Sequence, residues 1–147
     1  MPEPAVADLE ARLGHGFRDP ELLVRALTHG SYAHEHPPAA HNETLAFLGD
    51  AVLGLVVAEM LAARSPADGP GVLTQQRAAL VSAANLATWA IRLDLPAQLR
   101  LGRGEDQGGG RYKESILASA LEAVVGAVYL DGGLHPARTL VARLAGS

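Results

Sequence analysis

Two acidic residues sit where acids are costly. Asp50 interrupts the apolar stretch 45–58, and Glu122 is the one acid inside the apolar stretch 115–130. A carboxylate withdrawn from water costs free energy unless it is paired or metal-bound. Two lone acids on apolar segments therefore point to a site. Glu43 stands seven residues before Asp50, two helical turns along the same face. Carboxylate oxygens are the hard ligands that magnesium takes. Magnesium held by acids can activate water and neutralise developing negative charge. The plainer reading makes Asp50 and Glu122 a buried, hydrogen-bonded remnant. Glu43 equally suits the first turn of a helix, where negative charge is favoured.

The elements that must position these acids are two helices. Over residues 41–61, Leu45, Leu48, Val52, Leu55, Val56 and Met60 recur at three- and four-residue steps, which makes one wide apolar face. Asn42 suits the N-cap. Gly49 replaces a better helix former at a cost of about 1 kcal/mol, which implies close approach of another helix. The second apolar helix spans 113–130, carries Gly126, and ends at Asp131-Gly132-Gly133, with glycine where a C-cap needs it. A crossing near Gly49 and Gly126 would bring the acids together.

The remaining segments also read as helix and turn. A loose start over 1–3 precedes a short amphipathic helix over 5–13, ended by Gly14 and Gly16. Asp19-Pro20-Glu21 opens a helix over 21–27. Residues 28–40, with two prolines, form a loop, and 65–71 form the next break. One long helix is expected over 73–93, with Leu73, Ala79, Leu80, Ala83, Leu86, Ala87, Ala90 and Ile91 as its buried stripe and Trp89 in the core. Residues 96–99 suit a single turn of helix. Residues 102–111 hold five glycines in ten positions, a flexible loop without the spacing or the preceding strand of a dinucleotide fingerprint. A last helix covers 136–144. With no alternating pattern and no repeat, the fold class is all-α, in one domain spanning 1–147.

Composition bounds the partners. The chain has 147 residues, 48% hydrophobic and only 4% aromatic, enough to bury a core of Ala, Leu and Val. It has no cysteine, so disulfides and thiolate metal sites are excluded, as suits a cytoplasmic protein. No secretory leader pattern opens the sequence. The apolar part of 41–61 reads as too short and too polar at its start to span a membrane. The net charge of −4 is unusual for a nucleic-acid binder, although an acidic metal site accounts for part of it. His29, His34, His36 and His41 cluster in one loop, but no helical i, i+4 pair supports a zinc site.

Several linked motifs resemble one family. Asn42-Glu43-x-Leu45-x-Phe47-Leu48-Gly49-Asp50-Ala51-Val52-Leu53 is similar to the signature of the ribonuclease III family. In the family's order there follow Arg77-Ala78-Ala79-Leu80-Val81-Ser82, Leu101-Gly102-x-Gly104, Ser115-Ile116-Leu117-Ala118, and Leu121-Glu122-Ala123-x-x-Gly126-Ala127-x-Tyr129-Leu130-Asp131-Gly132-Gly133. Leu27-Thr28-His29-x-Ser31-Tyr32 fits as well. The resemblance covers nearly the whole chain. It implies a helical endonuclease domain that forms a two-fold homodimer, with double-stranded RNA in a valley between subunits and Phe47 anchored in the partner. Arg77, Arg103, Arg111 and Lys113 are the candidate RNA contacts, or else ordinary solvated charges.

The resemblance also implies a magnesium site, with manganese as a substitute, built from four carboxylates. Their matching positions are 46 and 50 on one helix, four apart, and 119 and 122 on the other, three apart; both spacings share a face. This chain offers Ala46, Asp50, Ser119 and Glu122. Alanine cannot ligate, and serine is a weak neutral ligand. Glu43 can contribute from around the metal rather than on it. Three functions stay open: weakened metal-dependent cleavage of double-stranded RNA, a dimer that binds RNA or a ribonucleoprotein without cutting, and a subunit that engages protein only. The family's C-terminal double-stranded RNA-binding domain has no match in these residues. RNA affinity is therefore expected to be weaker, salt-dependent, or supplied by a separate chain.

Overall fold

The computed structural model describes residues 4–146. The loose start expected over 1–3 lies outside them. Ten α-helices follow in order: α1 Pro4–Leu13, α2 Pro20–Ala26, α3 Gly30–Glu35, α4 Glu43–Arg64, α5 Pro70–Leu80, α6 Ala83–Arg92, α7 Leu95–Gln98, α8 Arg103–Gln107, α9 Glu114–Gly132 and α10 Leu134–Gly146. A 3-10 turn, Gly110–Tyr112, precedes α9. Among the described residues there is no strand, only an isolated bridge between Thr28 and Arg100. The fold is all-α.

Helix α9 forms the axis. Its neighbours are α4, α6, α10 and α2, and residues from Ile116 to Val128 are buried on almost every side. That explains why its sequence is apolar all round rather than striped. Helix α4 packs on α9, and its buried residues are Leu45, Gly49, Val52, Leu53, Val56, Val57 and Leu61. Each fully buried leucine or valine here contributes roughly 1.5–3 kcal/mol. By length and composition both α4 and α9 could cross a membrane, with mean hydropathy 2.0 and 1.4. This differs from the expectation for 41–61. The two helices bury apolar surface against each other instead.

Several boundaries differ from the sequence expectation for identifiable reasons. The helix expected over 73–93 is two helices. Val81 ends α5, and the Ser82 hydroxyl accepts the Asn85 N–H at 3.2 Å to start α6. Asn85 also donates to the Leu80 carbonyl at 2.6 Å, so the break is hydrogen-bonded on both sides. Ala79 and Ala83 are exposed and Ile91 is 55% exposed, so they leave the expected buried stripe. Leu55 is 54% exposed and leaves the α4 core face. The loop 28–40 contains α3, and the glycine-rich loop contains α8 and the 3-10 turn. Asn42 precedes α4 but does not cap it. Its amide donates to the Ala26 carbonyl at 3.0 Å, while His41 Nδ1 accepts the Glu43 N–H at 3.3 Å. Gly133, at φ +86°, ends α9 and donates its N–H to the Tyr129 carbonyl at 2.7 Å.

One buried acid ties the far end of α9 to the rest. The Asp131 side chain is only 2% exposed. It accepts the Arg18 and Asp19 backbone N–H groups, both at 2.9 Å, and lies 2.8 Å from His15 Nε2. Burial alone would raise its pKa. The two N–H groups and the imidazole outweigh burial and hold it below the usual carboxylate range.

Candidate active site

The crossing of α4 and α9 is a backbone contact. A Cβ on Gly49 would overlap the carbonyl oxygen of Glu122 and come 3.0 Å from the Gly126 nitrogen. A Cβ on Gly126 would overlap the Leu45 carbonyl oxygen. Only glycine at both positions lets the helices approach this closely. Asp50 follows Gly49 directly, and Glu122 supplies the carbonyl packed on Gly49. The crossing therefore brings the two acids of the apolar helices side by side, as their setting in the sequence suggests.

Their carboxyls interact. Glu122 is half-buried and is raised from an ordinary 4.5 to about 7, first by burial, then by its hydrogen bond and charge repulsion with Asp50. Two carboxyls in contact share a proton more readily than two charges. Near pH 7 Glu122 is therefore about half-protonated beside Asp50.

The other expected positions open beside this pair. Ala46 and Ser119 line a cavity of about 390 Å³ together with His29, Glu43 and Ser115. Ala46 lies one turn before Asp50, and Ser119 one turn before Glu122. The cavity thus occupies the places where two further carboxylates would project. Among the described residues, no three of His, Asp or Glu gather as a metal-ligating group. The donor set fits a cation held by two carboxylates and several waters, a mode magnesium accepts. It does not fit a four-carboxylate cage.

The candidate RNA contacts separate by environment. Arg77, Arg103 and Lys113 are exposed. Arg111 is engaged within the chain: Nη1 donates to the Pro96 and Leu99 carbonyls, each at 2.8 Å, and Nε to Asp106 at 3.0 Å. The Arg111 hydrogen bond in turn holds Asp106 below its ordinary pKa. Three of the four clustered histidines are engaged within the chain. His29 Nδ1 caps α3, His36 Nδ1 meets the Tyr32 carbonyl, and His41 caps α4. Phe47 is 82% exposed on α4. His29 lines the cavity; the only sequence signal for it was its place in Leu27-Thr28-His29-x-Ser31-Tyr32.

The fold and site define a class: an all-α domain with an acidic pair at the glycine-lined crossing of its two central helices. Comparison with known proteins makes this specific. The family model for Ribonuclease-III-like proteins matches residues 19–145. Ribonuclease 3 of Heliobacterium modesticaldum is 52% identical over 142 residues, covering 95% of this chain and 60% of that protein. Ribonuclease 3 of Streptomyces coelicolor is 54% identical over 136 residues, covering 92% of this chain and 49% of that protein. The chain thus spans about half to three-fifths of the length of these relatives. A solved structure of the nuclease domain of ribonuclease III from Campylobacter jejuni, described for flexibility in a region involved in dimer formation, superposes with a TM-score of 0.89. It shares 42% identity and covers 95% of this chain and 94% of that one. The chain belongs to the ribonuclease III-like family and carries its nuclease-domain fold.

Proposed function

We propose that this domain acts on double-stranded RNA as a two-fold dimer, and that its hydrolytic centre is the Asp50–Glu122 pair. Cleavage is weakened because Ala46 and Ser119 stand where acids would complete the site. The observation that carries this reading is the backbone crossing at Gly49 and Gly126, which sets Asp50 near enough to Glu122 to raise its pKa. A half-buried acid held beside a second, exposed acid, at a cost to its charged form, is better explained by a retained site than by packing.

The roles of the residues follow from their settings. Asp50, exposed beside the cavity, presents a carboxylate to a ligand. Glu122 must lose its proton before it can ligate, and it does so near pH 7. Magnesium or manganese bound there would supply a polarised water and positive charge at phosphorus. Glu43 lines the same cavity and can orient water. Arg77, Arg103 and Lys113 are the RNA-contacting cations, and Arg111 supports the loop that carries two of them. Phe47 and, two turns on, Leu55 form an exposed apolar patch on α4 that supports dimerisation. A cysteine-free chain working on RNA is read as cytoplasmic.

A second reading is favoured by Ala46 and Ser119 themselves: a dimer that binds RNA or a ribonucleoprotein and cuts nothing. One assay separates the two. A long RNA duplex is incubated with the protein across a magnesium and manganese titration, with Asp50→Ala alongside. Metal-dependent products that vanish in Asp50→Ala support the weakened enzyme. Duplex binding without products at any metal concentration supports the binding module.

A further inference from the structure

We infer that His29 contacts the RNA strand, donating from Nε2–H into the 390 Å³ cavity to an oxygen of the sugar–phosphate backbone. This rests on the double-stranded RNA reading above.

The hydrogen bonds around the ring fix its tautomer. Nδ1 accepts the Ser31 backbone N–H at 3.1 Å and lies 2.8 Å from the Ser31 hydroxyl. That hydroxyl accepts the Gly102 N–H at 2.8 Å, which leaves its own hydrogen to give to Nδ1. Two donors on Nδ1 make it the acceptor nitrogen, so the proton of the neutral imidazole sits on Nε2. With the Nδ1 edge turned to the start of α3, the polar edge left for the cavity is a donor.

The donor is also held in place. The His29 N–H donates to the Arg100 carbonyl at 3.0 Å, and the Arg100 N–H to the Leu27 carbonyl at 2.8 Å. The ring is thus fixed from both the backbone and the Ser31–Gly102 side. A fixed donor loses little entropy on binding. The same cavity is lined by Glu43, Ala46, Ser115 and Ser119. The cavity lies one helical turn from the acidic pair along both helices. A strand whose phosphate is held at Asp50 and Glu122 through a cation would have its neighbouring backbone oxygens near His29.

The test is duplex RNA binding at low salt and pH 8 with calcium in place of magnesium or manganese, so that a cation can still bridge phosphate and the acids while cleavage is suppressed, using wild type, His29→Ala and His29→Gln. Alanine is expected to weaken binding about 3–10-fold, the worth of one net hydrogen bond. Glutamine, whose amide reaches the Nε2 position, is expected to restore it to within about two-fold. All three should share one slope of log affinity against log salt, because a neutral donor releases no counterion. Imidazole nitrogen shifts should report the Nε2–H tautomer in the wild type. A duplex with 2′-deoxy residues separates the acceptors: a penalty that persists assigns phosphate, and one that disappears assigns the 2′-hydroxyl. Unchanged binding by His29→Ala, glutamine as poor as alanine, or an Nδ1–H tautomer would each overturn the inference while leaving the RNA reading intact. A wild type that binds no duplex at all would overturn both.

Discussion

Gly49 and Glu122 meet backbone to backbone: the Glu122 carbonyl oxygen occupies the space that a Cβ on residue 49 would need. The two central helices and the two site acids are positioned by that contact. Gly49→Ala should therefore push α4 from α9 and cost about 1–3 kcal/mol or more, as overpacking does. Gly71→Ala, in α5 with open space around it, should be neutral or stabilising by up to about 1 kcal/mol. Thermal denaturation of both variants checks the contrast.

Glu122 makes stability depend on pH. Its folded pKa of about 7 lies above the ordinary 4.5. The folded protein thus holds a proton that the unfolded chain has lost. The associated stability is fully present below about pH 4.5 and is lost as pH rises through 7. Urea denaturation should show wild type falling relative to Glu122→Gln by roughly 1–2 kcal/mol between pH 4.5 and 8, after allowance for solvent at this half-exposed site. A flat difference would refute the raised Glu122 pKa.

Asp131 has the opposite sign. Its depressed pKa adds stability above the ordinary carboxylate range that is lost as pH falls through the lower, folded value. Asp131→Ala leaves two backbone N–H groups and His15 without their acceptor. A loss of about 2–3 kcal/mol at pH 7 is expected by calorimetry, shrinking toward strongly acid pH.

The arginines near the glycine-rich loop should divide by role. Arg111→Ala removes two carbonyl contacts and the Asp106 pair. It should lower stability by about 1–2 kcal/mol. Arg103→Ala and Lys113→Ala should leave the melting temperature unchanged. Each should instead weaken duplex binding and reduce the salt slope by about one.

Much of this was legible because the signals were local and redundant. The apolar runs of α4 and α9, the two glycines and the two acids all indicated one crossing. The family motifs located Ala46 and Ser119 as the changed positions. Other features were hidden where two physical readings share one sequence. The apolar stripe runs on past Ser82, so the stripe masked a cap whose partner, Asn85, was in view. Asn42 has the right type for a cap, but its amide is spent on a carbonyl 16 residues earlier. Arg111 and Arg103 look alike in a glycine-rich loop, and only packing turns one inward. His29 could not be separated from its neighbouring histidines until Ser31 and Gly102 fixed its ring.

The most direct measurement compares duplex RNA cleavage by wild type and by Ala46→Glu/Ser119→Asp across a magnesium and manganese titration. If the Asp50–Glu122 pair is a hydrolytic centre lacking two acids, the double variant should cleave at least about 100-fold faster, by the usual weight of metal-site changes. Adding Asp50→Ala to it should abolish the gain. A folded, RNA-binding double variant that cleaves no faster than wild type would contradict the account.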